Sequence, residues 1–193
     1  MSTMMVATEL GLPLACELGN DCVIQYYVDV DTSAGAGDFQ CKHLAYDGHK
    51  GTDFRVVDPN NHMVPVLAAA DGIVMNIRNH MPDNIDQYDD SISDNIACGN
   101  GAIIDHQNGL KTQYCHLKQG SVIVEKNQRI KKGDVIGLVG QSGRSNFLHL
   151  HFSVRKNNVI IDPFTNKDQQ AGCGQPMTDS LWEASVKDFK STL

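Results

Sequence analysis

The chain has 193 residues, enough for one sizeable hydrophobic core and too few for two, and its 41% hydrophobic and 20% charged residues match ordinary folded domains. A formal net charge of -7 and the lack of any dense basic run argue against nucleic-acid binding, which draws its affinity from clustered Lys and Arg. The longest apolar stretches, such as Met63 to Ala70, fall well short of the roughly 20 residues that cross a bilayer, so no membrane span is expected.

Met1 to Leu14 show no basic start followed by a long apolar run and a small-residue cleavage site, so no secretory signal is visible. The six cysteines, Cys16, Cys22, Cys41, Cys98, Cys115 and Cys173, are even in number and form no Cys-x-x-Cys pair. That pattern fits disulfides better than a structural zinc cluster and points to an exported protein, periplasmic or extracellular. Val23 to Val30, rich in β-branched and aromatic residues, reads as a strand, and Asp31 to Gly37 as a flexible loop after it.

The loop leads to Gly48-His49-Lys-Gly-Thr-Asp53-Phe54, where an imidazole and a carboxylate, both zinc ligand types, can converge on one ion. From Pro65 onward short apolar runs recur between Gly, Asn and Asp: Val66 to Ala69, Ile73 to Ile77, Ala102 to His106, Lys111 to His116, Val122 to Val124, Val135 to Val139 and Leu148 to Val154. This is the rhythm of antiparallel β structure. It breaks between Asn76 and Asn100 into a polar segment with Asp83, Asp86, Asp89, Asp90 and Asp94, too long for a turn and without the ligand spacing of a calcium loop. A solvated acidic loop is expected. Gln107-Asn108-Gly109 then predicts a hairpin over Ile104 to His116, with the Asn-Gly pair supplying positive φ.

On the return strand, Gln113-Tyr114-Cys115-His116-Leu117, alternation puts Tyr114 and His116 on one side and Cys115 and Leu117 on the other. In Leu148-His149-Leu150-His151-Phe152 the same rule sends both imidazoles to one face and Leu150 and Phe152 to the core. His43, His62, His80 and His106 belong to none of these motifs and read as surface or hydrogen-bonding residues. Near the end, Ser180-Leu-Trp-Glu183 has the spacing of a capping box, and Trp182, Val186 and Phe189 recur at helical intervals. A short C-terminal helix with Trp182 as its packing anchor is expected.

The order His-x-x-x-Asp, then Tyr-x-His-Leu, then His-x-His resembles the lysostaphin-like (LytM) zinc peptidases, which act on peptidoglycan peptides. The framework between the motifs is similar too, in Val66-Leu-Ala-Ala-Ala-Asp-Gly-Ile-Val74, Gly99 to His106, Lys132 to Gly137, Gly140 to Gly143 and Ile161-Asp-Pro163. The resemblance implies a mainly β fold, an antiparallel β-sheet groove with a short C-terminal helix. It implies one zinc ion held by His49, Asp53 and His151, with a fourth position open as in catalytic sites, and His116 and His149 as the catalytic residues beside it. Which of the two takes a proton and which steadies the oxyanion stays open. The implied domains are an N-terminal segment 1–45 packing on or near the groove, a zinc peptidase domain 46–164 with an acidic loop 76–100, and a tail 165–193.

The expected function is a zinc-dependent endopeptidase cutting peptidoglycan stems or cross-links. A cell-wall binding or amidase-regulating module and a secreted bacteriolytic toxin of the same chemistry are the alternatives, and an unidentified protein regulator is a candidate partner. Two departures from the family pattern bear on substrate preference. Asn146-Phe147-Leu148 replaces the usual Gly-Pro approach to the histidines, and Ser153 stands where Glu often follows. Cys98 and Cys115, at nearly matching distances from the hairpin turn, are expected to pair; the other four allow three pairings.

Overall fold

A computed structural model describes residues 8–83 and 93–189 of the chain. Its strands are β1 (Cys22–Tyr26), β2 (Thr52–Val56), β3 (Pro65–Leu67), β4 (Gly72–Arg78), β5 (Asn100–Asp105), β6 (Leu110–Leu117), β7 (Arg129–Ile130), β8 (Val135–Leu138), β9 (His149–Lys156), β10 (Val159–Asp162) and β11 (Lys167–Asp168), followed by one short helix, α1 (Ala184–Lys187). The main sheet runs β1-β2-β9-β6-β5-β4-β7, with β10 also on β9 and β11 on β10; β3 and β8 form a separate pair. Every pairing between these strands is antiparallel, as the β rhythm predicts.

Alternation along the central strands separates two faces. Thr52, Phe54 and Val56 of β2, Thr112 and Tyr114 of β6, and Leu150, Phe152 and Val154 of β9 are buried in the core. The residues between them face a groove. Trp182 anchors the core, with ring centroids 5.4 Å from Phe152, 5.8 Å from Phe164 and 5.9 Å from Phe54. Leu10 pairs with Trp182 in a parallel bridge, so these two segments, far apart in sequence, meet behind the sheet.

Several local expectations are corrected. The first strand stops at Tyr26 rather than Val30, because the next residues bond to the loop instead: Tyr27 N donates to Leu44 O and Asp29 N to His49 O. β4 runs on to Arg78, shortening the acidic segment; its Asp86, Asp89 and Asp90 lie outside the described residues. Val122 to Val124 forms no strand, since its backbone tie to β8 is the single bond from Ile123 N to Ile136 O and Val122 N goes to the Asn79 side chain. In the hairpin the positive φ angles fall at Gln107 and Gly109, while Asn108 caps the Leu110 amide with its side chain. Glu183, not Ser180, stands at the helix N-cap position, because Trp182 is held extended against the core and Ser180 Oγ accepts from Trp182 N instead.

The three disulfides are Cys16–Cys22, Cys41–Cys173 and the expected Cys98–Cys115. Of the four histidines outside the motifs, His43 and His80 are exposed and His62 half-buried. His106 is buried, with Nδ1 donating to Asp71 O at 2.7 Å and Nε2 2.9 Å from Thr112 Oγ1.

Asp162, at the end of β10, is fully buried; its Oδ1 accepts from the Phe164 and Thr165 amides, and its Oδ2 has no partner. Burial, only partly offset by those bonds, pushes its carboxyl up to about 7 from an ordinary 3.8. The folded state therefore holds this proton more tightly than the unfolded one. The stabilisation is full below pH 3.8 and is lost as pH rises to about 7. Asp162→Asn keeps the Oδ1 acceptor without a titrating proton. In thermal melts between pH 4 and 7 its Tm is expected to gain steadily on the parent's; a pH-independent difference would contradict the assignment.

Candidate metal centre and catalytic groove

β2 and β9 lie side by side with Asp53 opposite His151 and Arg55 opposite His149, all on the groove face. His49 enters from the loop just before β2. The structure brings the five candidate residues together: His49 Nε2 is 3.1 Å from Asp53 Oδ1 and 3.1 Å from His151 Nδ1, and His151 Nδ1 is 2.8 Å from Asp53 Oδ1. His149 Nε2 lies 3.8 Å from the same carboxylate oxygen, and the His116 ring is 4.7 Å from that of His149.

Three atoms that carry lone pairs thus face one point. His49 gives its Nδ1 proton to Tyr27 O at 2.6 Å and turns Nε2 on the carboxylate, an arrangement that a shared proton or a cation must hold together. Tetrahedral zinc with bonds of about 2.0–2.1 Å keeps its ligand atoms about 3.3 Å apart, so small outward shifts would seat the ion. The donor set fits a single Zn2+. Ser153 Oγ, 3.0 Å from His151 Nε2, fixes the ring from behind, as supporting groups in metal sites commonly do.

His116 reaches the groove by a route that alternation does not foresee. Tyr114 lies in the core opposite Phe152, and Cys115, opposite His151, lines the groove. Strict alternation would bury His116 beside Tyr114. Its φ of 65° instead places it in the left-handed region, and the kink turns the imidazole into the groove. That conformation costs about 1 kcal/mol for a residue with a side chain and persists only where the surroundings enforce it. Here His116 N donates to Cys98 O, next to the Cys98–Cys115 disulfide, and Nδ1 donates to Ser142 O at 2.8 Å.

His149 donates from Nδ1 to Phe147 O at 2.9 Å, and the Phe147 ring stacks on the imidazole with centroids 4.1 Å apart. Both histidines therefore turn Nε2 away from their backbone anchors. Burial first, and the neighbouring imidazoles second, hold His116 well below the ordinary histidine range; burial also lowers His149, although Asp53 and the Phe147 bond oppose it. Burial would raise Asp53, but the charges of His149 and His49 and the hydrogen bonds from His151 and His49 outweigh it and keep the carboxyl well below its usual range. The result is a carboxylate beside two imidazoles, His116 and His149, whose burial disfavours the protonated form, in a groove of about 850 Å³.

Sequence reading missed the supports of this site. Tyr27, Ser142 and Phe147 act through backbone carbonyls, which leave no side-chain signal. The Tyr46 ring lies tilted against that of His49, with centroids 4.3 Å apart. Gly51, inside the His-x-x-x-Asp unit, was the readable clue: a Cβ there would sit 2.7 Å from both His151 Nε2 and Phe152 O.

Comparison with known proteins places this geometry. Residues 47–163, more than half of the chain and including all five groove residues, match peptidase family M23. The chain is 34% identical over 114 residues to the peptidoglycan DD-endopeptidase ShyB of Vibrio cholerae, covering 59% of this chain and 22% of that protein. It is 40% identical over 65 residues to the DD-carboxypeptidase/endopeptidase Mpg of Neisseria meningitidis, covering 34% of this chain and 14% of the relative. It thus spans less than a quarter of the length of these relatives. Among solved structures, one of a SpoIIIAH and SpoIIQ complex shares the fold at a TM-score of 0.57 and 21% identity, over 80% of this chain and 97% of the other.

Gly51→Ala is expected to push His151 out of line and lower zinc affinity at least tenfold, with the far-UV circular dichroism unchanged. Competition with a chromophoric chelator measures the affinity, and parental affinity in the variant would show that the close approach is dispensable.

Proposed function

The chain belongs to peptidase family M23, and from that premise we propose that it is a zinc-dependent endopeptidase that hydrolyses peptide bonds in the stems or cross-links of bacterial peptidoglycan. The observation that carries the reading is the convergence of His49, Asp53 and His151 beside two further imidazoles, His116 and His149, that turn Nε2 away from backbone anchors. Relatives named peptidoglycan DD-endopeptidases supply the substrate class.

In this reading His49, Asp53 and His151 would hold the ion. When bound, zinc supplies a Lewis acid for the substrate carbonyl and lowers the pKa of water from 15.7 to about 7. The chain's own residues do the rest. His116 and His149, kept neutral by burial, present Nε2 as a base that takes a proton from the attacking water. The same atom then returns the proton to the leaving amine nitrogen as the C–N bond breaks. While it holds that proton, the imidazolium also offsets the negative charge gained by the carbonyl oxygen. Ser142 O and Phe147 O hold the two rings in the tautomer this needs.

Three disulfides among the described residues support a working place in an oxidising compartment outside the cytoplasm. No helix among the described residues is long and apolar enough to cross a membrane.

His151→Ala is expected to lose both bound zinc, by elemental analysis, and the release of peptide fragments from purified sacculi, by mass analysis; a metal-free variant that still released them would sink the reading. His116→Ala is expected to keep one zinc per chain while kcat falls about 100-fold or more, the range of general acid–base contributions. Loss of zinc from His116→Ala would instead make that histidine a ligand.

A further inference from the structure

The groove continues past the metal ligands. His151, Ser153 and Arg155 follow one another on its face of β9, and Cys115, Gln113 and Lys111 of β6 stand opposite them in register. Beyond Ser153 lies a second recess of about 460 Å³, which shares Gln113 and Arg155 with the groove. Its charged lining is Lys111, Lys126 and Arg155, without a carboxylate among the described residues, in a chain whose formal charge is -7.

Arg155 stands out among these cations. Its guanidinium is half-buried, and its NH1 donates one hydrogen bond, 2.6 Å long, to Gln113 Oε1. No described carboxylate lies within ion-pair distance of it. Gln113 is itself fixed, its Nε2 donating to Cys98 Sγ at 3.3 Å, so the disulfide orients the amide and the amide orients the guanidinium. Among the described residues, most of the five N–H donors of Arg155 find no acceptor. A partly desolvated cation held in one orientation, without a counter-charge among the described residues, favours an incoming anion. Lys111, directly opposite on β6, adds a second positive charge and is steadied by its bond to Asn158 Oδ1 at 3.0 Å.

We propose that Arg155 and Lys111 form a subsite for a carboxylate of an extended, acidic peptide substrate, in register with the metal centre along β9. The proposal rests on the peptidase reading above. Four residues at about 3.3 Å each put Arg155 about 13 Å from His151, so the bound carboxylate lies three to four extended residues from the scissile bond. The planar guanidinium matches a carboxylate with two parallel hydrogen bonds. The uncharged Ser153 between the two points leaves the path without a competing acid.

The test pairs two peptidoglycan-type peptides that differ only in whether the remote group is a carboxylate or its carboxamide. Each is made in a cleavable form and in a form whose scissile amide is replaced by a reduced bond, and the zinc-loaded full chain is used throughout. Calorimetry on the uncleavable pair is expected to show the acid binding about tenfold tighter than the amide, the ratio falling to near one in Arg155→Gln and by about threefold in Lys111→Gln. The ratio of kcat/KM for the cleavable pair should fall in parallel, through KM. Parental discrimination in Arg155→Gln, or none in the parent, overturns the subsite. Should Arg155→Gln fail to fold, by near-UV circular dichroism, the parent's ratio and Lys111→Gln decide. Discrimination in binding without any cleavage would remove the peptidase reading and leave the subsite standing; cleavage without discrimination would do the reverse.

Discussion

The opposition of Asp53 to His151 across the β2–β9 ladder is the contact on which the site depends. A slip of one residue would turn every groove-facing side chain of β9 into the core and bring Leu150 and Phe152 to the surface, so hydrophobic burial fixes the register. The chemistry inherits its alignment from that packing. Phe54, Phe152 and Trp182 press together behind the strands, and the polar residues between them have no choice of side. Gly51 completes the arrangement by letting the chain pass close over the His151 ring before β2 begins.

Burying four ionisable side chains in one place is costly unless each polar atom finds a partner. His49, His116 and His149 solve this alike, each giving its Nδ1 proton to a backbone carbonyl from an irregular segment. Those carbonyls belong to Tyr27, Ser142 and Phe147, so the loops around the groove set ring orientation while the sheet sets position. Residues upstream of His49 contribute here, Tyr27 through its carbonyl and β1 as an edge of the sheet beside Asp53.

What the sequence made legible follows the same division. His149 and His151 could be placed together because β9 keeps a strict period of two, with apolar residues marking its core side. His116 could not be placed that way, because a single left-handed residue reverses the rule and nothing in Tyr-Cys-His-Leu announces it. β2 went unread although Thr-Asp-Phe-Arg-Val alternates well, its five residues being short beside the glycine-rich approach. The helix start was misjudged because a local capping pattern competed with the burial of Trp182, and burial of a large aromatic outweighs a cap worth about 1 kcal/mol. Supports that act through carbonyls were beyond reach, since any residue can offer one.

The meeting of Leu10 with Trp182 bears on how such a chain comes to be folded. Contacts that join residues so far apart in sequence close late, after shorter-range hairpins such as β5–β6 have formed. As the chain emerges from N- to C-terminus, the strands that carry the histidines are complete before the tryptophan that packs beneath them has been made. The Cys41–Cys173 link spans 132 residues and waits on the same event. Assembly of the groove is thus tied to arrival of the segment that carries Trp182 and Cys173, and synthesis that stalls before it leaves β2 and β9 without their backing.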